Sequence, residues 1–195
     1  MDRRIERGEQ TRKRLLSAAS KLFAEHGYEA TPIELVLEQA AVSKGALYHH
    51  FANKRELYEA VLEAIETDLA RATVQAARDA TDPVEALRAG TRAFLSLAGD
   101  PAIGRIVLTD APNVLGWARW REIDERHAFG VLKGAVSATA AAERLTQDEQ
   151  DALAHVLLAA LLELAMIVAR SDTPRDAQNV AQAVMDELLN RLLRS

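Results

Sequence analysis

Five residues in one short stretch have the types and spacing to engage phosphate and base edges: Ser43, Lys44, Gly45, Tyr48 and His49, within TPIELVLEQAAVSKGALYHHF at residues 31–51. Two short helices joined by Ala41-Val42-Ser43 have helix-turn-helix proportions, and Ser43 is placed to cap the second. On a helical wheel Val42, Ala46 and Leu47 pack inward against Leu35 and Val36, which leaves Lys44, Gly45, Tyr48 and His49 outside. A helix presented in this way can enter a major groove with its first residues on base edges, while its free terminus and nearby hydroxyls hold phosphate. The plainer alternative is a helical hairpin in which Tyr48 and His50 pack locally.

Catalytic signatures are missing from the chain. It has no Gly-x-x-x-x-Gly-Lys loop, no Gly-x-Gly-x-x-Gly, no His-Glu-x-x-His and no Gly-x-Ser-x-Gly. His127 and His155 have no companions at metal-ligand spacing. With no cysteine, thiolate zinc sites, disulfides and cysteine nucleophiles are excluded. The expectation is a protein that is not an enzyme and has no cofactor, in a reducing cytoplasmic setting.

The elements that must position the five residues can be read from caps and periodicity. Four of the five prolines follow a capping residue, at Thr31-Pro32, Asp82-Pro83, Asp100-Pro101 and Thr173-Pro174, and each pair marks a helix start. Thr31 with Glu34, Asn53 with Glu56, Asp82 with Glu85 and Thr146 with Glu149 have capping-box spacing. Leu15, Ala19, Leu22 and Phe23 form an apolar stripe closed by Gly27. No alternating β-branched run competes, so the fold class is all-α. The expected helices run over 32–40, 44–51, 54–80, 83–98, 101–109, 114–139, 147–170 and 174–193, after a first helix opened by Arg12-Lys13-Arg14.

Charge divides the 195 residues. The whole chain carries −5, yet residues 1–56 hold 10 Lys and Arg against 8 Asp and Glu, a net of +2, and the remainder is −7. A small basic module on an acidic body is suited to binding a polyanion through one end. Residues 152–169, ALAHVLLAALLELAMIVA, approach the length of a membrane span, but His155 and Glu163 and the polar flanks favour a buried globular helix. No membrane partner is expected.

The residues Thr31, Ala40-Ala41-Val42-Ser43-Lys44-Gly45-Ala46-Leu47-Tyr48-His49-His50-Phe51 and Asn53-Lys54-Arg55-Glu56-Leu57 resemble the DNA-binding module of tetracycline-repressor (TetR) type regulators. Leu37 and Ala41 depart from the pattern, which has a small residue at the first position and commonly glycine at the second. Alanine in a left-handed turn there costs on the order of 1 kcal/mol. The resemblance implies phosphate contacts from Thr31, Ser43, Tyr48 and Lys54, with Lys44, Gly45, His49 and His50 near bases or adjacent backbone. It further implies a helix-turn-helix domain at 1–53, a helical ligand-binding and dimerisation domain at 54–195, and a homodimer formed by the last two long helices. The partners would be a palindromic double-stranded DNA operator and a small-molecule inducer that releases a repressor. Ala177, Val180, Ala181, Val184, Leu188 and Leu192 supply an apolar stripe for that dimer, against the alternative of a larger monomeric core. For the inducer, Phe94, Trp117, Trp120, Glu163 and Met166 form the expected pocket, with Glu163 a buried carboxylate paired with Arg105, Arg121 or a ligand cation. An all-helical interaction module without DNA affinity is the competing reading.

Overall fold

The computed structural model describes residues 3–193, all of whose regular elements are helical. The outer ends of the two expected domains, residues 1–2 and 194–195, lie outside the described residues. Helix α1, Arg3–His26, buries the predicted stripe of Leu15, Ala19, Leu22 and Phe23. It begins well before Arg12, because the polar residues ahead of the stripe are good helix formers that need no core to remain helical. Gly27, at φ 81°, ends it by donating its amide to Phe23 O at 2.9 Å.

Helices α2, Ile33–Ala40, and α3, Lys44–His50, are joined by a turn in which Ala41 sits in the left-handed region at φ 50° and ψ 53°. The strain expected of a non-glycine residue there is real, and Arg14 on α1 braces it by donating Nη2 to Ala41 O at 2.8 Å. Val36, Ala40, Leu47 and Phe51 close the small core with α1. Leu37 is accommodated half-buried against the same core.

Helix α4, Lys54–Ala77, starts at Asn53, whose side chain accepts from the Glu56 amide at 2.9 Å. It leaves the module and runs into the body, packing along α5, Pro83–Ala98. Asp82 and Asp100 cap as their Asp-Pro pairs predict, Asp82 accepting from Val84 and Glu85 and Asp100 from Ala102 and Ile103. Thr146 and Glu149 form a complete capping box. Thr31 is the exception: its hydroxyl donates back to Gly27 O at 2.8 Å, and α2 has no side-chain cap.

After the short α6, Pro101–Ile103, a π-helical segment over Gly104–Asp110 leads into α7, Ala111–Leu115. The single helix expected over 114–139 is broken. Gly116, at φ 81° and ψ 150°, ends α7, a backbone geometry favourable only to glycine. Helix α8, Trp117–Asp124, then widens into a π-helical segment over Glu125–Phe129 and continues as α9, Gly130–Ser137. A 3-10 turn at Ala140–Arg144 precedes α10, Gln147–Ala169, and α11, Pro174–Leu193. Helix α5 lies between α4 on one side and α10 and α11 on the other.

Hydrogen bonds between distant residues fasten the module to the body. Tyr58 on α4 donates its hydroxyl to Ile106 O at 2.5 Å, and Asp110 accepts the Tyr28 amide at 3.0 Å. Arg105 donates to Glu25 O at 2.9 Å, and Arg55 to Leu115 O at 2.9 Å. Burial, with Asp110 adding to it, pushes the Tyr58 phenol well above its ordinary range, so the group stays a donor.

Candidate nucleic-acid interface and cavity

The outward face of α3 is assembled by local rules. Ser43 Oγ accepts from the Ala46 amide at 3.3 Å, which leaves the other amides of the first turn open. Leu47 is fully buried, so α3 is pinned by one side and shows Lys44, Gly45, Tyr48 and His49 to solvent. Tyr48 is 48% exposed, unusual for a large ring on a helix that has a core available. Lys44 lies 3.6 Å from the Glu34 carboxylate with both side chains in solvent, a weak pairing that leaves the ammonium available.

Gly45 is informative for what surrounds it. A Cβ built there would meet nothing within 4 Å, and its backbone is ordinary right-handed helix. Nothing inside the chain requires glycine at this position, although glycine weakens a helix by about 1 kcal/mol relative to alanine. The missing side chain leaves this point of α3 open to solvent.

The other expected contacts are placed differently. Thr31 is 0% exposed, with its hydroxyl donated to Gly27 O, so it cannot reach phosphate and acts as a fastening between the end of α1 and the start of α2. His50 is half-buried with its ring against Phe51 and towards Gly8 on α1, so it packs rather than projects. Partial burial, then the neighbouring His49 and Arg12, lower its imidazole below the ordinary value. Lys54 is half-buried, with Nζ 4.1 Å from the centre of the Tyr28 ring and 3.5 Å from Glu29 O. Desolvation lowers its ammonium pKa, partly opposed by Glu29. The sequence pattern gives no sign of the Arg14 brace, because its partner is a backbone carbonyl 27 residues away.

In the body, the expected pocket does not form. Trp117 is 61% exposed, Trp120 is wholly buried in the core at the edge of Trp117, and Glu163 points to solvent. The proposed partners of Glu163 are engaged elsewhere, Arg105 with Glu25 O and Arg121 with Asp124 and Glu125. Met166 is half-buried beside Arg170. Of the five, Phe94 alone borders an apolar cavity of about 280 Å³ lined by α4, α5, α9, α10 and the π-helical segment before α9. Its walls are mainly apolar, including Leu69, Leu87, Leu132 and Leu158.

A buried carboxylate, Glu66, stands on the same wall. It is 3% exposed, and its Oε1 has no hydrogen-bond partner. Burial, reinforced by Asp124 and Glu63, raises its pKa to about 8. A sequence signal for it existed: Glu66 stands four residues after Leu62 and three before Leu69, on the buried stripe of α4.

Comparison with known proteins covers both halves of the chain. Residues 15–61 match the family model described as bacterial regulatory proteins, tetR family, and residues 84–192 match the tetracyclin repressor-like C-terminal domain. A crystal structure of a TetR-family transcriptional regulator from Pectobacterium atrosepticum is 31% identical, covers 100% of this chain and 99% of its own, and has a TM-score of 0.83. The chain belongs to the TetR family and is a DNA-binding transcriptional regulator. The transcriptional activator FasR of Mycolicibacterium smegmatis is 43% identical over 86 residues, 44% of this chain and 39% of FasR, so the match spans well under half of either protein. RolR, solved with resorcinol, shares the fold at a TM-score of 0.72 and 20% identity.

Proposed function

We propose that this regulator is a repressor which binds an inverted-repeat operator as a homodimer and is released when a small molecule fills the cavity. The observation that carries the reading is the outward face of α3, a rigidly packed helix whose exposed positions hold Lys44, Gly45, Tyr48 and His49. In this arrangement residues 1–53 form the DNA-binding unit and 54–195 the effector and dimerisation unit. Ser43, Tyr48 and Lys54 hold phosphate, with Lys54 swinging off the Tyr28 ring to do so. Lys44 and His49 read base edges, and Gly45 admits the DNA backbone.

Dimerisation is supported by the outer faces of α10 and α11. Val156 and Ile167 on α10 and Val180, Val184 and Leu192 on α11 are exposed large apolar residues on adjacent helices. Helix α10 is long and apolar enough to cross a membrane, and 44% of its most apolar stretch is buried within the chain. A second copy covering the remaining face satisfies both facts through an isologous contact.

Helix α4 is the mechanical link. It begins at Lys54 beside the module, and Glu66, Leu69 and Thr73 of its far half line the cavity. From Lys54 to Thr73 the helix spans about 28 Å. A ligand favouring a displaced far end of α4 biases the tilt of each module and hence the separation of the two α3 helices. FasR, an activator by name, is matched over too little of its length to transfer the sign of control.

Selection of duplexes from a random pool by the purified protein tests the proposal. The expected product is an inverted repeat with half-sites about one helical turn apart or slightly more. Recovery of no duplex above background would favour the interaction-module reading.

A further inference from the structure

Behind Glu66, one wall of the cavity backs onto a side-chain cluster in which carboxylates outnumber cations. Six carboxylates lie on the facing surfaces of α4, α8 and the following π-helical segment: Glu59, Glu63, Glu66, Glu122, Asp124 and Glu125. Three guanidinium groups and two imidazoles face them, and all are engaged. Arg119 holds Glu59 and Glu122, Arg126 holds Glu63 and Glu122, and Arg121 holds Asp124 and Glu125. His127, itself on the cavity wall, contacts Glu63 at 2.5 Å. From α10, His155 comes within 4.0 Å of Glu125, and from α5 the cavity receives the neutral Thr91. Arg78 lines the cavity from the end of α4 beyond Thr73. Glu66 receives none of these cations and keeps Oε1 unpartnered.

We infer that the cavity takes an apolar organic monocation of arylalkylamine type, its hydrocarbon body against Leu69, Leu87, Phe94 and Leu132 and its ammonium on the Glu66 carboxylate. This assignment rests on the reading of the cavity as the effector site. Burial leaves the Glu66 carboxyl protonated while it has no partner, and a ligand that supplies the missing positive charge stabilises its ionised form in place. A neutral donor would satisfy Oε1 but leave the local excess of carboxylates unchanged.

Binding has a proton signature. In the empty protein the Glu66 carboxyl retains its proton up to a pH of about 8. When the ammonium docks, that proton passes to solvent and the ion pair forms. Below the Glu66 pKa, affinity for the amine therefore rises with pH by up to about tenfold per unit, and it levels above that pKa while the amine stays charged.

The test is calorimetric titration of the full-length protein with phenylbutylamine, phenylbutanol and phenylbutyrate, which share one body and differ in charge. At neutral pH the amine is expected to bind about tenfold or more tighter than the alcohol, consistent with a charge-assisted contact. It should release close to one proton, measured in two buffers of different ionisation enthalpy, and the acid should not bind. Glu66→Gln should bring amine and alcohol within about twofold of each other. The pH profile of the unsubstituted protein tests the same ion pair without any variant. Equal or tighter binding of the alcohol, a pH-independent amine affinity, a preference that survives Glu66→Gln, or no binding of the amine would each overturn the assignment. Duplex release is read separately. Amine binding without release keeps the cation assignment and removes the effector reading, whereas release by the alcohol alone does the reverse.

Discussion

The face of α3 and the wall of the cavity, the two binding regions proposed above, are built by opposite means. On α3 the working groups are neighbours in sequence, displayed on one side of a seven-residue helix whose other side is pinned by Leu47. At the cavity the lining comes from five separate elements, and the carboxylate proposed to hold the ligand, Glu66, is buried. A binding face made from one helix is constrained by exposure, so substitutions there should alter function and spare the fold. A site made by convergence is constrained by burial, so substitutions there should alter stability as well.

The largest effect should come from neither region but from the surface proposed to join two copies. Val184→Arg places a charge in the apolar face of α11 and is expected to give a folded monomer by sedimentation. Its operator affinity should fall by about a hundredfold or more, since two linked modules bind far better than one. Tight binding by a confirmed monomer would remove the dimer from the mechanism.

Gly45→Ala separates fold from function most sharply. Because a Cβ has open space there, helicity and melting temperature should hold or rise slightly, while operator affinity drops by about tenfold or more. Unchanged affinity in an electrophoretic or anisotropy assay would show that DNA does not approach α3 at its first turn.

Glu66→Gln should do the opposite, leaving operator affinity intact and changing stability with pH. The folded protein holds the Glu66 proton to about 8, against an ordinary 4.5, so the unfolded chain releases it first. Stability from this group is therefore full below about 4.5, falls as pH rises towards 8 and is level above it. Asp124, raised by burial to about 6 despite Arg121, adds a smaller decline of the same sign. The amide variant should flatten most of this slope and gain on the order of a few kcal/mol at the alkaline end, measured by denaturant melts across pH. A variant as pH-sensitive as the parent would show that Glu66 ionises freely.

Ala41→Gly should have the smallest effect. It relieves a left-handed alanine and should stabilise the protein by about 1 kcal/mol, with operator preference unchanged.

The same contrast explains what could be read from the sequence. The cap at Ser43 and the buried Leu47 follow from spacings of one helical turn and the left-handed Ala41 from the family pattern, and the structure contains all three. Thr31 misleads because a hydroxyl before Pro32 has two acceptable partners, and the carbonyl of Gly27 takes it in place of the α2 amides. In the body, apolar composition marks Trp117 and Glu163 as a pocket, yet helix rotation decides burial: Gly116 resets the rotation of α8, and α10 starts anew at its own cap on Thr146. The stripe of Leu62, Glu66 and Leu69 is visible in the sequence, but the helices facing it are fixed only by tertiary packing.

The salt dependence of affinity for the selected duplex bears most closely on DNA binding by α3, because a face seated on phosphates must displace counterions. We expect log K to fall linearly with log salt, with a slope of about −4 or steeper for two modules, and Lys54→Ala to make it shallower by about 1 to 2 units while Glu66→Gln leaves it unchanged. An affinity indifferent to salt, or a slope unaltered by Lys54→Ala, would contradict the placement of DNA against this face.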